Sequence, residues 1–419
     1  MTQAHTANSI PVGRRHDLDA IRIGAFALLI LYHVGMFYVP WDWHVNSARP
    51  QEWLEPVMRL TSPWRLTLLF LVSGAATRLL LENYRKQGAG AEERLAGSRL
   101  LRLGLPLLFG MLVIVPPQTY FEVVQMVRDN GLAPDIYHNV FTADFWVRYV
   151  TSKGEWCKPE GCIITPTWNH LWFVAYVLFY GLIAALVAGM AKHRTDIWAK
   201  GLERVLKGAG LFIWPIAFLA LIRIGLFPRF PVTHDLVQDL YTHALSFAAY
   251  GFGFLLVAAP RVTEQMVRYR HLALVLALVS YASFATYMAM GSDGRDPGEL
   301  LRNTMRFVYA VDQWAFIVAI LGYAAHHIHR TSPLMKYLGG GIFTFYIIHQ
   351  TLIVVVAANV EKLKLPLFAE MGIVVGLTVG GSLLAYEIAK RIGVFGALLG
   401  VTPRKRPVSH TVQTTVIPA

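Results

Sequence analysis

The sequence predicts an all-α, polytopic membrane protein with about ten transmembrane helices and both termini in the cytoplasm, on three observations. The 419 residues are 55% hydrophobic and only 15% charged, well below the charged fraction of about 25% usual in soluble domains. Apolar windows long enough to span a bilayer recur along most of the chain. Lys and Arg are shared unevenly between alternate loops, as in proteins oriented by their cytoplasmic charge.

The windows fall at roughly residues 20–40, 64–82, 104–127, 168–190, 209–227, 240–259, 272–290, 307–326, 338–358 and 367–390,. An even number of spans puts both ends on one side. With these boundaries one set of loops carries about 22 Lys and Arg and the opposite set about 12, so the richer set is assigned to the cytoplasm,. Three regions follow: a cytoplasmic tail at 1–16, a transmembrane domain at 17–395 and a basic cytoplasmic tail at 396–419. Residues 1–17 are polar and the first apolar run is full length, so no cleavable signal peptide is apparent. The formal charge of +12 is then mostly a topological signal, and nucleic acid is not expected as a partner.

In the first window Arg22 and His33 lie eleven residues apart. Eleven helical steps make three turns plus about 20°, so both side chains share a face, separated by about 16 Å of rise. Lipid makes such groups expensive, and the pair is expected to face the protein interior and mark a path, with Arg22 near the cytoplasmic edge and His33 near the middle. The plain alternative is a snorkelling Arg and an unrelated His bonded to a neighbouring helix. Asp19, three residues before Arg22, can pair with it.

The second window begins SPWRLTLLFLVSG, with Arg65 near the outer face and Ser73-Gly74 mid-membrane. No adjacent base is evident for Ser73, so close helix packing is its expected role. RLLRLGLP places Arg99 and Arg102 three residues apart at the cytoplasmic mouth of the third window. They could cradle anionic phosphates, although cytoplasmic helix ends carry Arg in any case.

After the first window VPWDWHVNSARP holds Trp43, His44, Asn46 and Ser47, and TWNHLWF brings His170 and Trp172 to the outer end of the fourth. Flat apolar faces mixed with hydrogen-bonding groups suit a sugar ring; an interfacial aromatic belt is the competing explanation. Arg223, Asp312, Gln313, His349 and Glu387 lie inside apolar windows, each also explicable as an interhelical hydrogen bond, Glu387 by pairing with Arg391,. The HHIH run at His326–His329 lacks metal-ligand spacing and reads as a helix end; no metal site is expected. The only cysteines, Cys157 and Cys162 in WCKPEGC, can close a small disulfide turn in an oxidising compartment,.

Taken together, Arg22 and His33 with ten residues between them, FLVSG at 70–74, RLLRLGLP at 99–106, HLWF at 170–173 and FYIIHQ at 345–350 resemble the membrane-bound acyltransferase-3 family, in order over most of residues 15–395. WHVNSARP, RLTLLFLVSG, the Arg223 segment and YEIAKRI resemble its periplasmic-glucan branch. WCKPEGC and Ala75-Ala76 depart from the family pattern. The resemblance implies a bacterial inner-membrane O-acyltransferase that moves an acyl group from cytoplasmic acyl-CoA to hydroxyls of a periplasmic glucan. Succinyl-CoA is the first donor and acetyl-CoA the second, and no cofactor is held permanently. By position, His33 would be catalytic with Arg22 its motif partner. Arg78, Arg99 and Arg102 would bind acyl-CoA. Trp43, His44, Asn46, Ser47, Arg65, His170, Trp172, Arg223 and His349 would bind glycan or support the site, as would Asp19 and Ser73. Membrane lipid is the remaining partner, and a homodimer is left open.

That chemistry suits the residues. Acyl transfer from a thioester to an alcohol needs a base at the hydroxyl and positive charge at the oxyanion. A neutral His33 can accept the proton. The competing classes are an acyltransferase for another surface polysaccharide or lipopolysaccharide and an organic-anion transporter; the transporter is disfavoured because the two halves show no repeat and no matched broken helices.

Overall fold

A computed structural model describes residues 15–129, 143–154, 156–158, 161–191, 194–291 and 297–401. Among these, eight helices are long and apolar enough to cross a membrane: α1 (His16–Tyr38), α2 (Leu54–Lys86, with a turn at 62–64), α3 (Ala91–Asp129), α5 (Asn169–Ala191), α9 (Pro260–Met290), α10 (Gly298–His327), α11 (Pro333–Leu363) and α12 (Leu367–Arg391). The short α4 (Ala143–Val150) lies between α3 and α5, and α13 (Gly393–Leu398) follows α12. The chain is an all-α, multi-pass membrane protein.

The fifth and sixth expected spans are built differently. Residues 194–225 form α6 (Arg194–Val205) and α7 (Gly210–Gly225), bent by 104°, so that counting the bent pair as one span gives nine. Gly208 has φ of +60° at the bend, and a Cβ on Gly210 would stand 2.1 Å from the Val205 carbonyl oxygen, so both positions suit glycine,. α8 (Leu240–Leu256) has 17 residues, a length of about 26 Å against a hydrocarbon core of about 30 Å. The apolar composition was legible there, but the helix lengths were not.

Two π-helical stretches interrupt α3, Leu100–Gly104 and Gly110–Ile114. Each runs into a proline, Pro106 and Pro116, whose missing N–H and bulky ring disturb the preceding turn, and a widened turn absorbs the mismatch. α2 and α8 touch backbone to backbone. A Cβ on Gly74 would lie 1.9 Å from the Tyr250 carbonyl oxygen, and one on Gly253 would lie 1.8 Å from that of Leu71. The Ser73 hydroxyl donates to the Leu69 carbonyl one turn back at 2.8 Å. Ser73-Gly74 is therefore a packing element, as its lack of a neighbouring base suggested.

On the side where α1 ends, loops fold over the bundle. The chain after Tyr38 is pinned by Glu361, which accepts from the Ser47 hydroxyl at 2.6 Å and the Ala48 N–H at 2.7 Å. Buried Glu370 accepts from the Tyr38 hydroxyl at 3.1 Å and is ion-paired with Arg49. The Asn46 amide donates to the Trp41 carbonyl at 2.8 Å, while its backbone N–H donates to Gln125 Oε1 at 2.8 Å. Asn46 and Ser47, expected among glycan contacts, thus hold the loop itself. Farther along, β1 (Cys157–Lys158) pairs antiparallel with β2 (Gly161–Cys162), and a disulfide joins Cys157 to Cys162.

Candidate active site

The Pro40 that follows Val39 ends α1, and His33 lies in the C-terminal half of that helix,. Its ring meets α11. His33 Nδ1 is 2.8 Å from His349 Nε2, and the two rings are nearly parallel at 14° with centroids 5.1 Å apart. His349 Nδ1 is in turn 2.7 Å from the Tyr346 carbonyl oxygen. A carbonyl can only accept, so His349 Nδ1 carries a proton. Neutral His349 then offers its Nε2 lone pair to the N–H at His33 Nδ1. That assignment leaves His33 Nε2 as a lone pair, with no hydrogen-bond partner among the described residues. The orientation is that of a base held by a second group.

His170 backs this pair. Its Nε2 donates to the Ile347 carbonyl at 3.0 Å, its Nδ1 accepts from Gln118 Nε2 at 3.2 Å, and its own carbonyl accepts from the Tyr346 hydroxyl. Both ring nitrogens are engaged, so His170 positions its neighbours and does not serve as a base. Gln118 also donates to Thr351 at 2.6 Å and accepts from Gln350 Nε2 at 3.1 Å. This network ties α3, α5 and α11 together beneath the histidines.

Two cavities meet at the pair. A polar one of about 610 Å³ is lined by His33, Trp43, His44, Arg65, Glu122, Trp172 and Gln350 among others. An apolar one of about 310 Å³ runs between α1, α11 and α12, from Ile23 and Leu338 to His349. Leu29 and Tyr346 line both. In the polar cavity the Trp43 ring lies 6.3 Å from that of His33, and His44 Nδ1 is 3.2 Å from Glu122 Oε2. Buried Arg65 stacks its guanidinium 3.3 Å from the Tyr32 ring centroid and donates to the Thr61 hydroxyl at 3.0 Å. It has no acidic partner among the described residues, so its positive charge is available to the cavity,.

At the far wall the Trp172 indole stacks on His234, centroids 4.0 Å apart and planes at 17°. Burial pushes the His234 pKa down, opposed by Asp239 and assisted by His44. Trp168 Nε1 donates to the His234 carbonyl at 3.1 Å, fixing this loop against α5.

The arginines separate. Arg22 pairs with Asp19 at 3.8 Å and donates to the Gly339 carbonyl at 3.4 Å, at the opposite end of α1 and the start of α11. It lines neither cavity, but its neighbour Ile23 lines the apolar one. Arg99 turns inward to donate to the Thr77 hydroxyl at 2.6 Å, whereas Arg102, within the π-helical stretch, is exposed. Arg78 is buried and held by Glu82 at 2.7 Å, Thr195 at 3.1 Å and Asp196 at 2.5 Å. Its guanidinium locks α2 to α6. Arg223 donates to the Tyr241 hydroxyl at 2.8 Å in a side pocket. Glu387 binds Lys390 at 2.5 Å and Tyr337 at 2.7 Å instead of Arg391.

Sequence reasoning missed Gln118, Gln350, Tyr32, Glu122 and His234. The first two were detectable as amides within apolar surroundings. His234 lies in a loop and carried no signal.

A family model described as an acyltransferase domain, that of acyltransferase-3, matches residues 15–387. Glucans biosynthesis protein C of Salmonella paratyphi B (strain ATCC BAA-1250 / SPB7) is 28% identical over 167 residues, 40% of this chain and 37% of that protein. Its counterpart in Salmonella gallinarum (strain 287/91 / NCTC 13346) is 30% identical over 167 residues with the same coverage. The chain therefore matches little more than a third of the length of these relatives. No solved structure matches. With the matched model covering all but the two ends, the chain, a multi-pass membrane protein, belongs to the acyltransferase-3 family.

Proposed function

We propose that the protein transfers an acyl group from cytoplasmic acyl-CoA to a hydroxyl of a glucan on the periplasmic side of the bacterial inner membrane, with both termini cytoplasmic. Succinyl is the first acyl group to test and acetyl the second. The observation that carries this reading is the His33–His349 pair set between a polar and an apolar cavity. The polar cavity, with Trp43, Trp172 and hydrogen-bonding groups, suits a sugar. The apolar cavity, which begins beside Arg22, suits the donor arm and acyl chain. Arg22, with the exposed Arg102, lies where phosphates of the donor would be met.

In the reaction the acceptor hydroxyl gives its proton to His33 Nε2 as its oxygen attacks the thioester carbonyl. His33 becomes an imidazolium that keeps its Nδ1–H directed at His349. Arg65 stabilises the negative charge on the tetrahedral oxygen. Collapse breaks the C–S bond, forms the ester, and returns the proton to the departing thiolate. His349 and His170 hold His33 in the tautomer that makes this direction of proton flow available.

The test is transfer of labelled acyl groups by the purified protein in vesicles, with acyl-CoA supplied on one side and glucan on the other. His33→Ala should abolish ester formation while the protein stays inserted and folded. Uptake of an organic anion with no covalent product would favour a transporter. Mass spectrometry of periplasmic glycans from a deletion strain identifies acyl group and acceptor together.

A further inference from the structure

Beyond Trp172 and His234 the polar cavity continues into a side pocket of about 210 Å³, and the two share Leu66, Trp172 and His234 as walls. Arg223 lies in this pocket. Its guanidinium covers the Tyr309 ring at 3.3 Å and lies 5.1 Å from that of Phe227, and Nη1 donates to the Tyr241 hydroxyl at 2.8 Å. Among the described residues it forms no ion pair, and Asp312, one turn along α10 from Tyr309, does not reach it; both Asp312 oxygens lack partners. An arginine within an apolar helix is expensive and is normally paired. Here aromatic faces hold it flat in the pocket lining, with Nη1 bound to the Tyr241 hydroxyl. A planar fork of that kind matches a carboxylate in two parallel hydrogen bonds. Thr242, Ser246 and Gln313 line the same pocket and offer hydroxyl and amide groups of the kind a sugar ring uses.

We propose that the Arg223 pocket is an acceptor subsite for a sugar ring bearing a carboxylate, next to the ring whose hydroxyl is acylated at His33. This rests on the reading of the polar cavity as the acceptor site. Trp172, whose indole lies at the junction, stacks against the chain as it passes from one pocket to the other. The acceptor preferred is then an acidic oligosaccharide, or one that already carries a half-ester with a free carboxylate.

Equilibrium binding to the full-length His33→Ala protein in nanodiscs tests the subsite without turnover. The probes are a neutral glucose disaccharide and its glucuronic-acid-containing counterpart, read by calorimetry. The acidic disaccharide should bind about tenfold tighter, the scale of a charge-assisted hydrogen-bonded pair. Arg223→Gln in the same background should bring the ratio close to one. If that variant does not fold, Arg223→Lys, which keeps the charge but not the fork, should lower the ratio. Equal affinities in the parent protein, or a ratio untouched by substitution of Arg223, would overturn the subsite. Free glucuronate competing as strongly as the acidic disaccharide would reduce it to a free-anion site and overturn the subsite as well. Failure of both disaccharides to bind overturns the subsite together with the glycan reading. A preserved preference with no acyl transfer by the wild-type protein removes only the proposed reaction.

Discussion

His33 donates from Nδ1 to Nε2 of His349 across 2.8 Å, and the Tyr346 carbonyl, 2.7 Å from His349 Nδ1, sets the direction of that bond. One backbone oxygen thereby decides which nitrogen of a residue on another helix is free to act. A neutral imidazole in this position orients His33 without adding a buried negative charge, which an aspartate would bring into the membrane interior.

His349→Ala should therefore lower the rate constant for acyl transfer by about a hundredfold or more, the range expected for disabling general-base catalysis, with smaller effects on the KM of either substrate. His349→Gln should recover part of the loss, because its amide oxygen can accept from His33 Nδ1. Steady-state kinetics on the two variants check this. Equal activities in the alanine and glutamine variants would show that the hydrogen bond does not orient the base.

Legibility in the sequence followed the range of the interaction. Arg22, Asp19 and His33 could be placed on one face because helical periodicity is local, and Arg22 does pair with Asp19. The partner of His33 is 316 positions away, and periodicity carries no information across that separation. Asn46 and Ser47 show a different limit. Their polar groups suited a sugar on paper, yet each is spent on its own loop or on Glu361. Composition does not reveal which way a polar side chain faces. The fifth and sixth windows were visible as apolar stretches, but the 104° bend between α6 and α7 depends on backbone conformation around Gly208.

The crossing of α2 and α8 makes a sharp packing demand. Gly253→Ala would drive a methyl to 1.8 Å from the Leu71 carbonyl oxygen, and a backbone contact cannot be relieved by turning a side chain. The cost should be about 1–3 kcal/mol. Gly251→Ala, with nothing within 4 Å of the added carbon, should be neutral or slightly stabilising, since alanine is the better helix former. Thermal unfolding of the two variants in the same detergent separates packing from propensity.

His234 gives the polar cavity a pH dependence. Burial lowers its pKa in the folded state, so the unfolded state binds more protons in the window between the folded value and about 6.5, and stability rises with pH there. The contribution is fully present above about pH 6.5 and is lost as pH falls toward the folded pKa. Acidification should therefore weaken the Trp172–His234 stack and shift the tryptophan emission. His234→Phe should keep the stack and remove this part of the pH dependence. An unchanged acid transition in the variant would assign the titration to another group.

Arg65 provides the last discriminating case, because its charge and its packing can be separated. The guanidinium stacks on Tyr32, adjacent in sequence to His33, and carries no acidic partner among the described residues. If it stabilises the tetrahedral oxygen, Arg65→Met should reduce the rate constant by about a hundredfold to a thousandfold, the range seen on removing an oxyanion donor. Acceptor affinity should change much less. Tyr32→Leu leaves the charge in place but removes the ring that holds it flat, so it should lower the rate less than Arg65→Met while loosening the protein to a similar degree, since aromatic and cation–π contacts are lost in both. The comparison of rate with thermal stability is decisive. Equal rate losses in the two variants would make Arg65 a structural strut, whereas a rate loss confined to Arg65→Met identifies its charge as the part that acts on the reaction.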